Sequence, residues 1–184
     1  MKLHHYTAQP NGLRLETSQG LIDLTAYSPH IVRIRYTHEP AFSSVASLTV
    51  IAKPQNAVDV SVRETTEALI FSTTKLSIQI NRDALALTYR DSQGQVLTRE
   101  PERGGKTLTP VDVIKYIPTT TNGIKHEVGA DGLRTSTSNF EERIDRKAYH
   151  TKLEFEWADG EALYGLGSHE EGMFNLRGQH QYLY

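Results

Sequence analysis

Short runs of alternating apolar and polar residues recur along this chain, and this alternation constrains its fold more than any other feature. In the run Ile31–Tyr36, Val32 and Ile34 fall on one face, whereas Arg33 and Arg35 fall on the other. Because successive side chains of a β-strand point to opposite faces, this pattern predicts a strand that is buried on one face only. The same pattern predicts four further strands, which are Ala57–Arg63, Lys75–Ile80, Ala84–Arg90 and Lys152–Trp157.

Turn-forming residues separate the predicted strands. Asn-Gly and Asp-Gly pairs supply the positive φ that tight hairpin turns need, and clusters of Ser, Asn and Asp also favour turns. The predicted turns are Asn11–Gly12, Ser28–Pro29, Asn81–Asp83, Asp91–Gly94, Asn122–Gly123, Asp131–Gly132 and Asp159–Gly160. Residues Tyr89–Leu97 therefore predict a β-hairpin, and Arg99–Pro110 and Ile117–Gly123 predict surface loops.

No run has the period of 3.6 residues that an amphipathic helix requires, and Glu39–Leu48 is expected to hold a short helical turn at most. Many short strands at regular spacing are typical of an all-β, antiparallel β-sandwich. A length of 184 residues suits one such domain, so we expect residues 1–184 to form a single β-sandwich domain.

The charge of the chain limits the partners that it can bind. Its net charge is -2 at pH 7, so it lacks the positive field that recruits nucleic acid or anionic lipid. It has no cysteine, which excludes disulfides and thiolate metal sites, and no apolar run reaches the length of a membrane span. Because the first residues lack the apolar segment of a signal peptide, we expect a cytoplasmic protein.

The stretch Ala162–Tyr184 concentrates glycines and side chains that can bind ligands. Its glycines do not match the G-x-G-x-x-G spacing of a dinucleotide site, which must also lie between a strand and a helix. The sequence His169-Glu170-Glu171 lacks the second histidine that a helical zinc motif requires. We therefore expect no nucleotide, metal or other cofactor here, and we interpret the histidines as solvated or hydrogen-bonded.

Paired carboxylates would be needed if this chain hydrolysed glycosides itself, because a retaining glycosidase uses one as the acid and one as the nucleophile. Glu154 and Glu156 alternate with apolar residues, so we interpret them as the outer face of a strand. Glu141–Glu142 lies in a run of mixed charge, which is typical of a solvated surface. The pair Glu170–Glu171 is the one that merits consideration as a catalytic pair.

Three aromatic side chains near the end of the chain could pack or bind sugar. Trp157 alternates with Phe155 and Leu153, so core packing is favoured over sugar stacking. Tyr164 and Phe174 flank glycines, and they could either stack on a sugar ring or anchor the loop.

The letters YGLG at 164–167 after a predicted strand, then a polar loop, then NLRG at 175–178, resemble the end of the N-terminal β-domain of glycoside hydrolase family 31. This family includes α-glucosidases and α-xylosidases. The resemblance is sharpest over 153–179 and extends more loosely to the arginine-bearing strand at 31–36 and the hairpin at 85–97. It implies a galactose-mutarotase-like β-sandwich that leads into a (β/α)₈ catalytic barrel beyond residue 184.

The resemblance also implies where the chemistry lies. Both catalytic aspartates of the family lie on the barrel, so no catalytic residue is expected in this chain. The implied partners are an oligosaccharide or α-glycoside substrate of the full enzyme and a catalytic barrel on the same polypeptide. An isolated domain would then expose an apolar docking patch and tend to form homo-oligomers.

The residues of the terminal stretch take roles by the same resemblance. Tyr164, Gly165 and Gly167 match a structural turn at the end of a strand. Polar side chains of the following loop are the substrate-binding candidates near the pocket rim, and they are His169, Glu170, Asn175, Arg177 and Gln179. Arginine and glutamine are residue types that hydrogen-bond sugar hydroxyls. Ser168 stands where many members of the family have glutamate.

Three other functions stay open. The sandwich could bind a carbohydrate in its own concave face as a stand-alone module, or it could be an aldose-epimerase-like protein. The epimerase hypothesis needs a His/Glu acid–base pair on the sheet, which spacing does not identify. A purely structural sandwich is the third alternative, because a fold alone does not define a function.

Overall fold

The computed structural model describes residues 1–55, 57–119, 124–137, 140–165 and 172–182. Within these residues the chain forms thirteen β-strands and no helix, which confirms the predicted all-β class. The strands are β1 (Leu3–Gln9), β2 (Gly12–Thr17), β3 (Gly20–Ser28), β4 (Ile31–Thr37), β5 (Ser61–Glu64), β6 (Ala68–Ser72), β7 (Leu76–Asn81), β8 (Leu87–Asp91), β9 (Val96–Arg99), β10 (Lys106–Pro118), β11 (Ile124–Gly129), β12 (Gly132–Thr137) and β13 (Phe140–Leu153). All of their pairings are antiparallel.

Two sheets supply the core of the chain. Strands β1 to β4 form a four-stranded sheet in chain order, and strands β5 to β9 form a five-stranded sheet in chain order. Their buried apolar side chains belong to one cluster, with Leu13, Leu15, Ile22, Leu24 and Ala26 from the first sheet and Leu69, Phe71, Ile78, Ile80 and Leu87 from the second. The two sheets therefore pack face to face, as predicted for a β-sandwich.

The alternation correctly predicts the apolar faces of several strands. On β4, Val32, Ile34 and Tyr36 pack against the core cluster. On β7, Ile78 and Ile80 are buried within it. Burial of these side chains against a second sheet removes their apolar surface from water, which is the main stabilising contribution to a sandwich of this kind.

The predicted hairpin Tyr89–Leu97 joins β8 to β9. Asp91 shapes its turn, because its Oδ1 accepts hydrogen bonds from the backbone N–H groups of Gln93 (2.8 Å) and Gln95 (2.9 Å). Gly94 has a φ of 84°, in the left-handed region that favours glycine. The turn chemistry predicted from the sequence is confirmed here.

The strand predicted at Lys152–Trp157 is wrong beyond its second residue, where β13 ends. The residues that follow are held by isolated backbone hydrogen bonds instead of a strand ladder. The N–H of Glu154 donates to the carbonyl of Gly105 (2.8 Å), and the N–H of Glu156 donates to the carbonyl of Arg99 (2.8 Å). Phe155 and Trp157 are each 45% exposed, so this run does not bury its aromatic side chains in the core.

The loop predicted at Arg99–Pro110 is wrong from Lys106 onward, since β10 begins there. A loop was predicted because this stretch is charged and bears glycine and proline. In the structure Pro110 lies opposite Tyr149 in a two-stranded ladder, where each strand has one open edge. Proline is tolerated on such an edge.

The alternation predicted at Ala84–Arg90 also fails at its start. Leu85 has a φ of 56° and its N–H donates to the carbonyl of Asn81 (2.9 Å), so it belongs to the turn before β8. Leu85 and Leu87 are both buried, and Ala86 between them is only 8% exposed. The predicted turn at Asn81 is confirmed, and it extends further than the sequence suggests.

The chain divides into two compact units. The first, called the sandwich unit, comprises Met1–Gly105 and Glu154–Tyr184, and the second, called the arm, comprises Lys106–Leu153. In the arm β10 pairs with β13 and β11 pairs with β12, and Gly132 adopts a φ of 106° in the predicted turn between β11 and β12. The predicted turn Asn122–Gly123 lies outside the described residues.

Candidate functional site

Asn175 organises the terminal stretch that the sequence singled out. Its Oδ1 accepts hydrogen bonds from the backbone N–H groups of Leu163 (3.1 Å) and Arg177 (3.1 Å). The N–H of Leu176 donates to the carbonyl of Leu163 (2.8 Å), and the Leu176 side chain is only 4% exposed. One carboxamide oxygen and one buried leucine therefore hold residues 161–165 against 172–179.

Arg177 and Trp157 form a second contact in this segment. The guanidinium of Arg177 donates from one Nη to the carbonyl of Glu161 (3.0 Å), and its Cζ lies 5.3 Å from the centre of the Trp157 ring. Trp157 is 45% exposed, so the core position predicted for it is wrong. Its ring instead supports a cation at the surface, an arrangement that stabilises by cation–π attraction.

Tyr164 and Phe174 lie beside each other, with ring centres 5.1 Å apart. They are 57% and 85% exposed, which leaves aromatic faces open to solvent. Gly165 follows with a φ of 90°, a conformation that only glycine adopts readily. Together with Trp157 and Arg177 these two rings are called the terminal surface.

Of the remaining candidates in this stretch, Gln179 lies within the described residues. Gln179 donates its backbone N–H to the carbonyl of Leu176 (3.1 Å), and its side chain is exposed. Gly167, His169 and Glu170 lie outside the described residues, as do Leu166, Ser168 and Glu171. The predicted sugar contacts of the loop stay a prediction.

Carboxylates elsewhere in the chain engage arginines at the surface. Glu154 lies 3.1 Å from Arg103, Glu156 lies 2.5 Å from Arg99, and the side chain of Glu141 lies 3.3 Å from that of Arg143 on β13, the closest N–O separation in each case. Exposed ion pairs of this kind contribute little to stability. The ion pairs give these three carboxylates a structural role. The catalytic carboxylates that the family resemblance places on a barrel stay a prediction.

Neither a metal centre nor a membrane segment is found in the described part of the chain. Across those residues, no group of three or more His, Cys, Asp or Glu side chains is placed to hold a metal ion. None of them forms a helix that is long and apolar enough to cross a membrane.

Sequence reasoning missed a buried charge cluster on the outer face of the first sheet. Asp23 is only 2% exposed, and its carboxylate accepts from Arg14 (2.7 and 2.9 Å) and from Arg35 (3.0 Å). The Phe42 ring lies over the Arg35 guanidinium at 4.4 Å. Hydrogen bonding to Asp23 raises the pKa of Arg14. These three residues stand opposite one another on β2, β3 and β4, so it is the register of the strands that brings them together.

A cavity of about 970 Å³ adjoins this cluster, between the outer face of β4 and residues 42–54. Cationic and aromatic side chains supply its most distinctive lining, and they are Tyr27, Arg33, Arg35, Tyr36, Phe42 and Lys53. The guanidinium of Arg33 donates to the hydroxyl of Tyr27 (3.0 Å). Concave surfaces with a few fixed polar groups are typical small-molecule sites.

Three tyrosines of the sandwich unit, Tyr6, Tyr36 and Tyr89, have a raised pKa, and burial is the cause for Tyr36. Burial raises the pKa of Tyr89 above its usual range, and the negative charge of Glu100 adds to the effect. The hydroxyl of Tyr6 donates to Glu64 (2.9 Å), which raises the pKa of Tyr6. Hydrogen bonds from Arg82 and Tyr6 lower the pKa of Glu64.

Comparison with known proteins now decides the family. The family model of the glycosyl hydrolase 31 N-terminal galactose mutarotase-like domain matches residues 21–184. This chain belongs to that family. The match confirms the resemblance drawn from the terminal motifs, and it confirms the galactose-mutarotase-like sandwich as the fold.

Solved structures of GH31 enzymes have a similar fold. The GH31 α-xylosidase from Xanthomonas citri is 18% identical over 94% of this chain, with a TM-score of 0.66. A GH31 α-xylosidase from a soil metagenome, complexed with xylose, is 15% identical over 96% of this chain, with a TM-score of 0.61. A GH31 dextranase from Flavobacterium johnsoniae, complexed with isomaltotriose, is 19% identical over 64% of this chain, with a TM-score of 0.54.

The GH31 chain spans only part of each of these enzymes. It covers 16% of the Xanthomonas citri α-xylosidase, 24% of the metagenomic α-xylosidase and 15% of the dextranase. At such identities the likeness concerns the fold. The likeness alone therefore does not assign the substrates of these three enzymes to this chain.

Proposed function

We propose that this GH31 chain is the non-catalytic N-terminal domain of a retaining α-glycosidase that acts on terminal α-linked glucose or xylose. The observation that carries the proposal is the family match over residues 21–184. The α-xylosidase structures support the substrate class, since each resembles nearly the whole of this chain. In this proposal the catalytic carboxylates lie on a barrel in the same polypeptide, and the domain supports that barrel.

The terminal surface is the part of this domain that we propose shapes the substrate pocket. Asn175 orders the backbone, so the rings of Tyr164 and Phe174 are presented at a fixed place while most of their area stays exposed. Exposed aromatic faces stack on sugar rings, and the guanidinium of Arg177 has donors for sugar hydroxyls. Trp157 holds that guanidinium in place.

The first experiment measures hydrolysis of aryl α-glucoside and aryl α-xyloside by the 184-residue chain and by the natural full-length protein. We expect activity from the full-length protein only, because the proposal puts the acid and the nucleophile outside this chain. Activity of the 184-residue chain itself would contradict the proposal and direct attention to Glu170–Glu171.

Replacing Arg177 in the active full-length protein tests the pocket role. Arg177→Ala removes a donor near the substrate, and we expect KM to rise about fivefold, the equivalent of one hydrogen bond of about 1 kcal/mol. Arg143→Ala on β13 is the matched control, because it also removes an exposed arginine, and its kinetics should equal those of the unmodified enzyme. Equal KM values for Arg177→Ala and Arg143→Ala would show that Arg177 does not contact the substrate.

The cavity beside Asp23 favours one second candidate, a carbohydrate-binding module. Its tyrosines and arginines are suitable partners for sugar rings and hydroxyls. Titration of the 184-residue chain with malto- and xylo-oligosaccharides distinguishes the two proposals. Micromolar binding that Arg33→Ala abolishes would favour the module.

A further inference from the structure

Two strands of the arm, β10 and β13, form a long ribbon. Strands β10 and β13 pair from Lys106 opposite Leu153 to Pro118 opposite Phe140, with one bulge between Val113 and Ile114. At about 3.4 Å per residue a ribbon of this length extends about 40 Å. In the described part of the chain these two strands pair only with each other, so each leaves one edge open.

The two faces of this ribbon differ in chemistry. Paired residues share a face, so the register assigns to one side the apolar residues Leu108, Pro110, Ile114, Tyr116, Pro118, Phe140, Ile144, Tyr149 and Leu153. Five polar residues lie on the same side, which is called the apolar face after its majority, and they are Lys106, Asp112, Glu142, Lys147 and Thr151. The opposite side carries Thr107, Thr109, Lys115, Glu141, Arg143, Arg146, His150 and Lys152, with the half-buried Val111, Val113 and Ile117 among them. The ribbon is therefore amphipathic.

The apolar face is open to solvent towards the end of the ribbon where Pro118 pairs with Phe140. Ile114 is 38% exposed, Tyr116 57%, Phe140 45% and Ile144 55%. The rings of Tyr116 and Phe140 meet edge to face at 5.1 Å, which fixes two large side chains on this surface. A contiguous apolar patch on a two-stranded ribbon marks an interaction site, because such a ribbon is marginally stable by itself.

We infer that the apolar face of the arm is the docking surface for the catalytic domain of the same polypeptide. This inference rests on the proposed function, which supplies that domain. The chain covers only 16% and 24% of the two α-xylosidases that it resembles, so those proteins contain several times more polypeptide. A domain tethered in the same chain is present at an effective concentration of about millimolar, far above that of a free partner.

The composition of the face fits an interface between domains. Its aliphatic and aromatic side chains share the face with charged ones, and the Asp112–Lys147 ion pair at 2.5 Å lies at the middle of the ladder. Interfaces between domains of one chain are more polar than obligate interfaces, so a face of mixed composition fits such an interface. A second copy of the chain is the competing occupant, and the experiment below separates the two.

Thiol labelling of the natural full-length protein, with any cysteine outside this chain replaced by serine, tests the docking surface, because this chain has no cysteine of its own. Ile144→Cys places a thiol on the apolar face, and His150→Cys places the control thiol on the opposite face of the same strand. We expect the Cys at 144 to label at least about tenfold more slowly in the native than in the denatured protein, whereas the control should change by less than about threefold.

Each outcome decides the inference. Equal labelling at both sites would overturn the docking surface, and protection that disappears when the protein is diluted would assign the face to a second copy and overturn it as well. A variant that fails to fold is replaced by oxidative footprinting of Tyr116 and Phe140 in the unmodified protein, where strong protection of both rings is the expected result. Protection without glycosidase activity would contradict the proposed function alone, and activity without protection would contradict the docking surface alone.

Discussion

Two phenylalanines on strands, Phe71 on β6 and Phe140 on β13, show how differently the two units use the same kind of residue. Phe71 is fully buried in the core cluster of the sandwich unit, whereas Phe140 is 45% exposed on the arm. Both lie in strands that pair in antiparallel ladders. The difference is that the sandwich unit has two sheets that cover each other, whereas Phe140 lies in a ladder of only two strands, β10 and β13.

This contrast limits what an alternating pattern can predict. Alternation follows from the geometry of a single strand, so it is established locally and can be read from the sequence. Burial requires a second layer, which is supplied by residues far away in the chain or outside it. An apolar strand face is therefore a prediction of contact, and the partner must be found separately.

Truncating the two phenylalanines should give the largest difference between the units. In the 184-residue chain, Phe71→Ala is expected to reduce the free energy of unfolding by about 3–5 kcal/mol, because it removes buried area and leaves a cavity. Phe140→Ala is expected to change it by less than about 1 kcal/mol, because nearly half of that ring already contacts water. Urea unfolding followed by far-ultraviolet circular dichroism measures both.

The same pair of variants sharpens the comparison in the full-length protein. If the catalytic domain covers the apolar face, Phe140→Ala should become clearly more destabilising there than in the 184-residue chain. Phe71→Ala should cost about the same in both. A large effect of Phe140→Ala in the 184-residue chain would mean that the arm is already packed, and the contrast between the units would fail.

Two aspartates provide the next contrast, because both pair with cations but only one is buried. Asp23→Asn replaces a carboxylate that two arginines bind, and it leaves an amide hydrogen facing guanidinium donors, so we expect a loss of about 2–3 kcal/mol. Asp112→Asn weakens a pair with Lys147 whose side chains are 37% and 77% exposed, and it should cost no more than about 0.5 kcal/mol. Similar losses of unfolding free energy for the two variants would show that burial does not govern these pairs.

The sequence predicted the local parts of this fold better than the long-range ones. The face of β4 and the turn at Asp91 follow from residues that are neighbours in sequence, and both are confirmed. Trp157 was placed in the core because it alternates with Phe155, but both side chains are 45% exposed. The start of β10 was assigned to a loop because residues 99–110 are charged and bear glycine and proline, and Pro110 is acceptable on the edge where the structure places it.

The candidate site was predictable in the same uneven way. A glycine-punctuated motif identified the family and the segment that carries the terminal surface, because such motifs are short and local. The contacts that order this segment, from Asn175 to Leu163 and from Arg177 to Glu161, join residues whose spacing has no repeating pattern. The Asp23 cluster was missed because its members combine only through the register of three strands.

The smallest expected effect is a dependence of stability on pH that originates in the sandwich unit. Burial raises the pKa of Tyr89 in the folded state, while in the unfolded chain a tyrosine ionises near pH 10. The folded state therefore binds the proton more tightly, so this contribution to stability is complete below about pH 10 and is lost as the pH rises above it. Tyr89→Phe has no proton to lose, and it should flatten the alkaline decline in melting temperature while leaving the curve near pH 7 almost unchanged. Tyr116→Phe on the arm is the matched control, because Tyr116 is 57% exposed and its replacement should leave the alkaline decline of the sandwich unit as it was. An alkaline decline of the same steepness in Tyr89→Phe and in the unmodified chain would show that the core does not hold this tyrosine in its neutral form.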